Sequence, residues 1–319
     1  MTGVTGTNDR YLRAGVAIPI AMKQMEPNLV FTNMIPAIKE DQNAFMYIAN
    51  ETNKSSDAKK KTPPLAEIGG KFPELDYTRP TLTAGLLESN GFSIRLLHNV
   101  VKQKIQGANE IMKAYETAGF WLAEWVNNAQ VTALTAGATT PTWTPTAVWS
   151  GTATPVEDLR LLKYQMRRKG YPYRLTDVYL HTDNFGELEG YLTSMDINSV
   201  KQERIYGMPG GTGDTIRIPI AGCNVTALDD GITEGYVLGV DGNRLGAETH
   251  YFIDPAFSVA KVSYTTIEDS KEVRKVAPNI GVHFRSYTED ESLDTILQFW
   301  VEQKTVVTQP YSILYDNGI

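Results

Sequence analysis

Apolar and small residues recur at alternating steps of four and three from residue 99 to residue 134, a stretch that contains no proline. Such spacing lines one face of a helix, which at a rise of ~1.5 Å per residue would be ~50 Å long. Asn99 is a suitable N-cap for this helix, and Gly137 can end it. Because several stripe positions carry only alanine or glycine, we expect the helix to lie close across strands of its own subunit and not in a coiled coil. The stripe consists of Val101, Ile105, Ala108, Met112, Tyr115, Gly119, Leu122, Val126, Ala129 and Ala133.

Alternating apolar and polar residues predict strands in the last third of the chain, at residues 257–267, 280–284 and 296–307. Before them, the capping-box sequence Thr154-Pro155-Val156-Glu157 predicts a helix that runs to about residue 169. Residues 176–250 predict brief strands and a short helix, which together indicate a small inserted α/β domain. The whole pattern predicts an α+β fold in which a sheet packs along the long helix.

The first fifty residues lack the pattern of a compact domain. The spacing of Pro19, Pro27 and Pro36 excludes a long helix, and the apolar residues between them are scattered. We expect an extended arm with a short helix near residues 28–34. Its apolar side chains would be covered where the arm lies on something else, for example another subunit.

Residues 51–91 are polar, are punctuated by glycine and proline, and end in the tight-turn sequence Asn90-Gly91. The lysine-rich stretch at residues 54–61 cannot build a core. We therefore predict a long β-hairpin that projects from the body. Its lysines suit either a solvated loop tip or contacts with acidic groups of a neighbour. The candidates for such contacts are Lys54, Lys59, Lys60, Lys61 and Lys71.

Composition narrows the class of protein. The 319 residues, 42% hydrophobic and 21% charged, are typical of a globular protein with an ample core. The single cysteine, Cys223, excludes a disulfide framework and a cysteine-based zinc cage, and it suits a small buried hydrophobe. No secretory signal and no apolar run of ~18 residues is present, so we expect no membrane partner. The net charge of −7 argues against a dedicated nucleic-acid binder.

The search for catalytic and ligand-binding motifs yields no site. The glycine run at residues 207–213 is followed by Asp214 where a phosphate-binding loop has lysine, so it predicts a surface loop. Residues 241–243 begin like a calcium loop but lack its downstream ligands. Asp229 and Asp230 suit a turn better than a catalytic pair. No histidine has metal-ligand spacing to another, so we predict no enzyme, no metal and no cofactor. The histidines are His98, His181, His250 and His283.

The order of these parts resembles the major capsid protein of tailed bacteriophages and archaeal tailed viruses, which has the Hong Kong 97-type fold. The ending is similar as well, since a strand leads through Pro310 into a short apolar run. The resemblance implies an N-terminal arm, an extended E-loop, a peripheral domain with a spine helix, and a small mixed α/β axial domain. Their expected ranges are 1–50 for the arm, 51–91 for the E-loop, 92–154 and 251–305 for the peripheral domain with spine helix 99–134, and 155–250 and 306–319 for the axial domain.

The resemblance also implies a function. A major capsid protein is a structural protein that self-assembles into pentamers and hexamers, which form an icosahedral shell around the viral double-stranded DNA. The expected partners are further copies of the chain, a separate scaffolding protein, a portal, cement proteins, and packaged DNA held by weak non-specific contacts. The expected location is the virion, after assembly in the host cytoplasm. In this setting the five candidate lysines would be inter-subunit contacts.

Two alternatives stay open from the sequence. An encapsulin-type nanocompartment shell has the same fold and would need an inward-facing groove for a cargo peptide. An α/β enzyme with a site in residues 176–250 is the alternative from a different class of protein.

Overall fold

The computed structural model describes the chain in separate ranges, and the predicted strand at 257–267 and the glycine run at 207–213 lie outside them. The described residues are 12–31, 34–40, 44–49, 81–103, 105–138, 149, 154–168, 173–194, 217–229, 231–253, 282–289, 292–308, 310–317 and 319. The helices in these ranges are α1 (Ala14–Met25), α2 (His98–Val101), α3 (Gln106–Gly137), α4 (Pro155–Arg168), α5 (Thr182–Ser194) and α6 (Leu245–Glu248). None of these helices combines the length and hydropathy that a membrane span requires.

The strands in the described ranges form two five-stranded sheets and one two-stranded ribbon. In the first sheet β1, β9, β11 and β10 follow one another, and β4 also pairs with β11. The second sheet has the order β12-β8-β5-β7-β6, and the ribbon pairs β2 with β3. The strands are β1 (Ala37–Lys39), β2 (Ala44–Ala49), β3 (Thr81–Leu86), β4 (Glu88–Leu96), β5 (Asp177–Leu180), β6 (Arg217–Ile220), β7 (Cys223–Ala227), β8 (Tyr236–Val240), β9 (Thr249–Ile253), β10 (Val282–Thr288), β11 (Thr295–Val307) and β12 (Ile313–Asn317).

The first core lies between the first sheet and the long helix α3. Strand β11 alternates buried and partly exposed residues along most of its length, which is the pattern of a strand with one face in a core. Tyr115 of α3 packs edge-on against Phe284 of β10 and Phe299 of β11, with ring centroids 5.8 Å apart in both pairs. The long helix therefore crosses the strands of its own chain, and this contact buries part of its surface.

The second core belongs to the inserted α/β part. Helix α4 begins at Pro155, where the capping-box sequence predicts it, and buries Leu159, Leu162 and Met166 against the second sheet. Cys223 of β7 is 2% exposed in this core and its thiol contacts the carbonyl oxygen of Leu175, so the expected burial of Cys223 is confirmed. Strand β12 brings the end of the chain back into this sheet beside β8.

The long helix starts later than the sequence predicts. It begins at Gln106 and not at Asn99, which lies instead in the short helix α2, and it ends at Gly137. The N–H of His98 donates to Oδ1 of Asp294 at 3.0 Å, a contact from the turn between β10 and β11 that anchors α2 separately. Because the apolar spacing continues through residues 101–105, nothing local marks this division. Ile105, a member of the predicted stripe, is 79% exposed.

The N-terminal arm contains a helix of 12 residues in a segment where the sequence analysis predicts extended chain. Helix α1 runs through Pro19 and packs on α3 and β10 of the same chain, burying Ala17, Ile18, Ala21, Met22 and Met25. A proline inside a helix costs ~3 kcal/mol, whereas full burial of one large apolar side chain contributes ~1.5–3 kcal/mol. Three large buried side chains outweigh the proline. The predicted short helix near residues 28–34 is replaced by a 3-10 turn at Glu26–Asn28.

The turn predicted at Asn90-Gly91 is also wrong, because both residues lie inside β4. Asn90 pairs with Val301 and Gly91 with Trp300 in the antiparallel ladder with β11. A Cβ at Gly91 would overlap the carbonyl oxygen of Phe299, so glycine is required here for the close approach of two strands.

Candidate functional site

The two-stranded ribbon is the element that flanks the predicted hairpin. Strands β2 and β3 pair antiparallel from Ala44 opposite Leu86 to Ala49 opposite Thr81. The chain between these strands, residues 50–80, lies outside the described residues, and so do the candidate lysines. The structure therefore shows that the strands on either side of residues 50–80 pair with each other, whereas the projecting hairpin and the roles of the lysines stay predictions. The candidates concerned are Lys54, Lys59, Lys60, Lys61 and Lys71.

One face of the ribbon is held on the body by an aromatic side chain. The ring of Phe45 is 3% exposed and stacks on Phe252 of β9, with ring centroids 4.0 Å apart and planes inclined by 18°. Opposite Phe45 in the ribbon stands Gly85, where a Cβ would overlap the Phe45 ring. An isolated two-stranded ribbon is marginally stable in water, so this aromatic contact helps to hold the ribbon on the first sheet.

The other face of the ribbon is apolar and open to solvent. Its three cross-strand pairs are Ala44 with Leu86, Met46 with Ala84, and Ile48 with Leu82. The four large residues on this face are well exposed to solvent: Leu86 to 68%, Met46 to 64%, Leu82 to 57% and Ile48 to 48%. Cross-strand neighbours share a face, so these side chains form one continuous surface, which we call the ribbon face. Contiguous exposed apolar surface of this kind marks interaction sites.

Neither strand of the ribbon carries a charged residue. Natural proteins protect exposed strands with charges, proline or bulges against pairing with other chains, and β2 and β3 have none of these. The ribbon face is therefore suited to contact with another apolar surface.

Several other large apolar side chains are well exposed in the described part of the chain. Near the start of α3, Ile105 and Met112 line an open hollow of about 480 Å³, together with the charged residues Glu110, Lys113 and Glu116. Trp121 of α3 is half exposed while it packs edge-on against Phe92. The remaining members of this group are Leu97, Phe120, Tyr164, Tyr287 and Leu293.

The histidines lie in separate places. His181 stands between Asp183 and Asp229, with N···O distances of 3.4 and 3.8 Å, at the junction of β5 and α5. His98 begins α2, His250 lies in β9, and His283 is stacked on Trp300. Burial lowers the pKa of His250. No group of three side chains suited to a metal ion occurs among the described residues.

The carboxylates that the sequence singled out have structural contacts. A hydrogen bond from the Thr182 side chain, with a further one from its backbone N–H, lowers the pKa of Asp229. Asp241 is buried and accepts hydrogen bonds from the N–H groups of Arg174 at 2.7 Å and Asn243 at 3.2 Å. Asp230 lies outside the described residues. Both described carboxylates thus hold turns together.

The ribbon face could not be found from the sequence because its apolar residues lie in two separate segments of the chain. Met46 and Ile48 alternate within the predicted arm, and Leu82, Ala84 and Leu86 alternate within the predicted loop. The positions that alternate with these residues carry no charge either, so the period of two does not tell the buried face of each strand from the exposed face. Only the pairing of the two strands brings these residues onto one face.

Comparison with known proteins establishes the fold. No protein-family model matches the sequence, and no curated protein matches it. The fold is similar to that of the virus-like particle from Pyrococcus furiosus, with a TM-score of 0.56 and 9% identity over 96% of this chain and 97% of the other. A structure of Mycobacterium phage Che8 matches with a TM-score of 0.53 and 10% identity, over 90% of both chains. The holo-SrpI encapsulin complex from Synechococcus elongatus matches with a TM-score of 0.50 and 10% identity, over 91% of this chain and 86% of the other.

These likenesses confirm the predicted fold class. The chain has the α+β Hong Kong 97-like capsid fold over about 90% of its length. The proteins with which it shares the fold are structural and form shells, and both viral and encapsulin shells occur among them.

Proposed function

We propose that the protein is the major capsid protein of a tailed virus, whose copies self-assemble into pentamers and hexamers and then into an icosahedral shell around double-stranded DNA. The observation that carries the proposal is the ribbon face, an apolar and uncharged surface with four large exposed side chains on a chain with a shell-forming fold. A second copy of the same chain is the partner that would cover it.

The gain from covering the ribbon face is modest for one contact. Complete burial of a large apolar side chain contributes roughly 1.5–3 kcal/mol, and between about half and two-thirds of each of the four side chains remains to be buried. The four together would contribute on the order of 4–7 kcal/mol before the cost of association. A head-to-tail contact of this kind closes into rings, and many weak contacts closed on one another make a stable shell.

The remaining parts of the proposal follow from the same function. The expected partners are a separate scaffolding protein, a portal and cement proteins, and the packaged DNA would touch the shell only weakly because the chain carries a net charge of −7. The protein would assemble in the host cytoplasm and remain in the virion. We propose no catalytic activity, which accords with the shell proteins that share its fold.

A double variant of the ribbon face tests the proposal. Ile48→Thr with Leu82→Thr places a β-branched residue, which suits a strand, at both positions but replaces two apolar side chains with polar ones. We expect the purified full-length variant to keep the melting temperature of the wild-type subunit while the yield of rings and shells falls at least tenfold. Sedimentation velocity and negative-stain microscopy measure both particle types.

The matched control is Tyr164→Thr on α4, where the side chain is 49% exposed compared with 48% for Ile48. We expect this control to assemble like the wild type. Normal particles from the ribbon variant would refute the role of the ribbon face. A wild-type protein that stays a monomer at high concentration would refute the proposed function itself.

The second candidate is the shell of an encapsulin-type nanocompartment, which the likeness to the encapsulin complex favours. The contents of particles isolated from the native source distinguish the two. A capsid protects double-stranded DNA of uniform length from nuclease, whereas a nanocompartment contains a stoichiometric protein cargo and no protected DNA.

A further inference from the structure

A strongly basic stretch runs through the second half of helix α4 and past its end. Residues 160–174 hold six of the 30 lysine and arginine residues of the chain and none of its 37 aspartate and glutamate residues. Four of the six are arginines. A chain with a net charge of −7 thus concentrates positive charge in one short segment, which is the electrostatic footprint of a surface that binds phosphate groups.

Part of this charge lies on one side of α4. The apolar side of the helix is buried in the second core, whereas Arg160 and Arg167 are exposed. The two arginines are two turns apart, so they project from the same side of the helix. Lys163 lies between them and is partly exposed. We call the surface formed by Arg160, Lys163 and Arg167 the basic face.

The helix dipole accounts for only part of the basic face. A positive charge in the last turn of a helix is favourable, and Arg167 occupies that place. Arg160 lies in the middle of the helix, where the dipole has little effect. Its Nη1 lies 3.0 Å from Oε2 of Glu157, but both side chains are more than half exposed, and an exposed pair of this kind contributes little to stability. Arg160 can therefore exchange Glu157 for another anion.

Lys163 is held in place beside the two arginines. Its Nζ donates to the carbonyl oxygen of Ala221, in the turn between β6 and β7, at 3.1 Å. An ammonium group has three N–H donors, so this contact fixes the charge and leaves two donors for a ligand. A fixed donor lowers the entropy that binding would cost.

We infer that the basic face binds the phosphate backbone of packaged double-stranded DNA at the inner wall of the shell. The inference rests on the proposed function, which supplies the DNA. Arginine binds phosphate through two parallel N–H···O bonds, and such contacts carry no sequence information, as a container for a whole genome requires. Two or three phosphates bound by each copy give a weak contact per subunit that is repeated over the shell.

The spacing of the charges favours DNA over an acidic protein segment. Seven residues of helix separate the two arginines by ~10 Å along the axis, which is the rise of about three nucleotides in one DNA strand. A duplex presents phosphates at this spacing in any register. An acidic segment meets both arginines only where its own carboxylates happen to have that separation.

The test measures the binding of a random duplex of roughly 30 base pairs to dissociated full-length subunits by fluorescence anisotropy, between 50 and 200 mM salt. We expect Arg160→Gln with Arg167→Gln to melt at the wild-type temperature, because both side chains are exposed. Affinity at 50 mM salt should fall at least tenfold. The slope of log K against log salt should become shallower by about 2, since each lost phosphate contact removes ~0.9.

Two controls separate the basic face from net charge and from side-chain size. Lys102→Gln with Lys113→Gln removes two exposed charges from another part of the chain, and Tyr164→Thr changes α4 without changing its charge. Both should bind the duplex like the wild type. A wild type that does not bind at 50 mM salt would overturn the inference, as would an equal loss of affinity in both double variants. A polyglutamate chain that binds the same arginines more tightly than the duplex would overturn it too.

A second measurement tests the inner wall. Tyr164→Cys places a thiol one turn from Arg160, and the natural Cys223 is only 2% exposed. A maleimide on a large polyethylene glycol should label this variant in dissociated subunits and not in closed shells. Labelled closed shells would place α4 on the outside and overturn the contact with packaged DNA. These outcomes leave the proposed function standing, whereas a wild type that stays a monomer contradicts that function.

Discussion

At the scale of single residues, Asp316 in β12 is a buried carboxylate that is only partly satisfied. It is 9% exposed, Oδ1 accepts a hydrogen bond from the N–H of Asn317, and Oδ2 has no hydrogen-bond partner. Burial raises its pKa, and the hydrogen bond from Asn317 lowers it by less. The charged form is therefore disfavoured in the folded protein.

We expect Asp316→Asn to raise the melting temperature by a few degrees near pH 7, because a neutral amide costs less to bury than a charged carboxylate. The folded-state pKa of Asp316 lies above its ordinary value of 3.8, so the folded protein binds a proton at higher pH than the unfolded chain does. The wild type should accordingly recover stability relative to the variant as the pH falls through that folded-state pKa. Thermal melts between pH 2.5 and pH 8 measure the difference.

The control for this pH dependence is Asp229→Asn, which has the opposite sign. The pKa of Asp229 is lowered, so its contribution to stability is present above 3.8 and is lost as the pH falls through the folded-state pKa. The effect should be small, because the side chain is 63% exposed. If the difference in melting temperature between the wild type and Asp316→Asn does not change with pH, the buried charge of Asp316 does not destabilise the folded protein.

At the scale of elements, the close crossing of α1 and α3 explains why a proline-containing segment folds as a helix. Gly119 of α3 faces the backbone of Ala21 in α1, and a Cβ there would overlap the Ala21 carbonyl oxygen and lie 2.9 Å from its carbonyl carbon. The missing side chain lets the two backbones approach, and this approach buries Ile18, Met22 and Met25. The packing that stabilises α1 thus depends on one glycine that lies 98 residues away from Ala21 in the sequence.

We expect Gly119→Ala to lower the free energy of unfolding by about 1–3 kcal/mol, because the new methyl group must push α1 away from α3. The matched control is Gly186→Ala in α5, where a Cβ would have no atom within 4 Å. Alanine favours a helix over glycine by up to ~1 kcal/mol, so the control should be as stable as the wild type or more so. Urea unfolding of both variants measures the difference, and a stabilised Gly119→Ala variant would mean that α1 does not pack as described.

At the scale of the whole molecule, the proposed assembly surface lies outside both cores. The ribbon face is formed by exposed side chains, whereas both cores are closed by side chains of the chain itself. Assembly can therefore be altered without unfolding the subunit.

The segment between the ribbon strands provides a further prediction at this scale. Deleting residues 54–64 should leave the subunit folded, because Ala49 and Thr81 already stand opposite each other and a shorter connection still closes. We expect the melting temperature to stay within a few degrees of the wild type and shell formation to be impaired. Circular dichroism measures the melting temperature, and negative-stain microscopy measures shell formation. Normal shells would show that Lys54, Lys59, Lys60 and Lys61 are dispensable for assembly.

The sequence by itself determined those elements whose buried face follows from the spacing of their own apolar residues. The end of α3, the start of α4 at Pro155 and both ends of the long strand β11 were predicted within a few residues, because each element has one face in a core along most of its length. The order of these parts was enough to predict the fold class. The burial of Cys223 was predicted from composition, because a single cysteine can form neither a disulfide framework nor a cysteine-based zinc site.

Only the tertiary structure decided the rest, because those features depend on residues far apart in the chain. Helix α1 is stabilised by its close packing at Gly119, and the division of α2 from α3 accompanies a hydrogen bond to Asp294. Gly91 lies in the paired strands β4 and β11, where it leaves room for the carbonyl oxygen of Phe299, and not in a turn. The ribbon face has no local signal either, since it combines side chains from two segments. Burial and exposure are properties of pairs of segments, and a one-dimensional pattern records only one member of each pair.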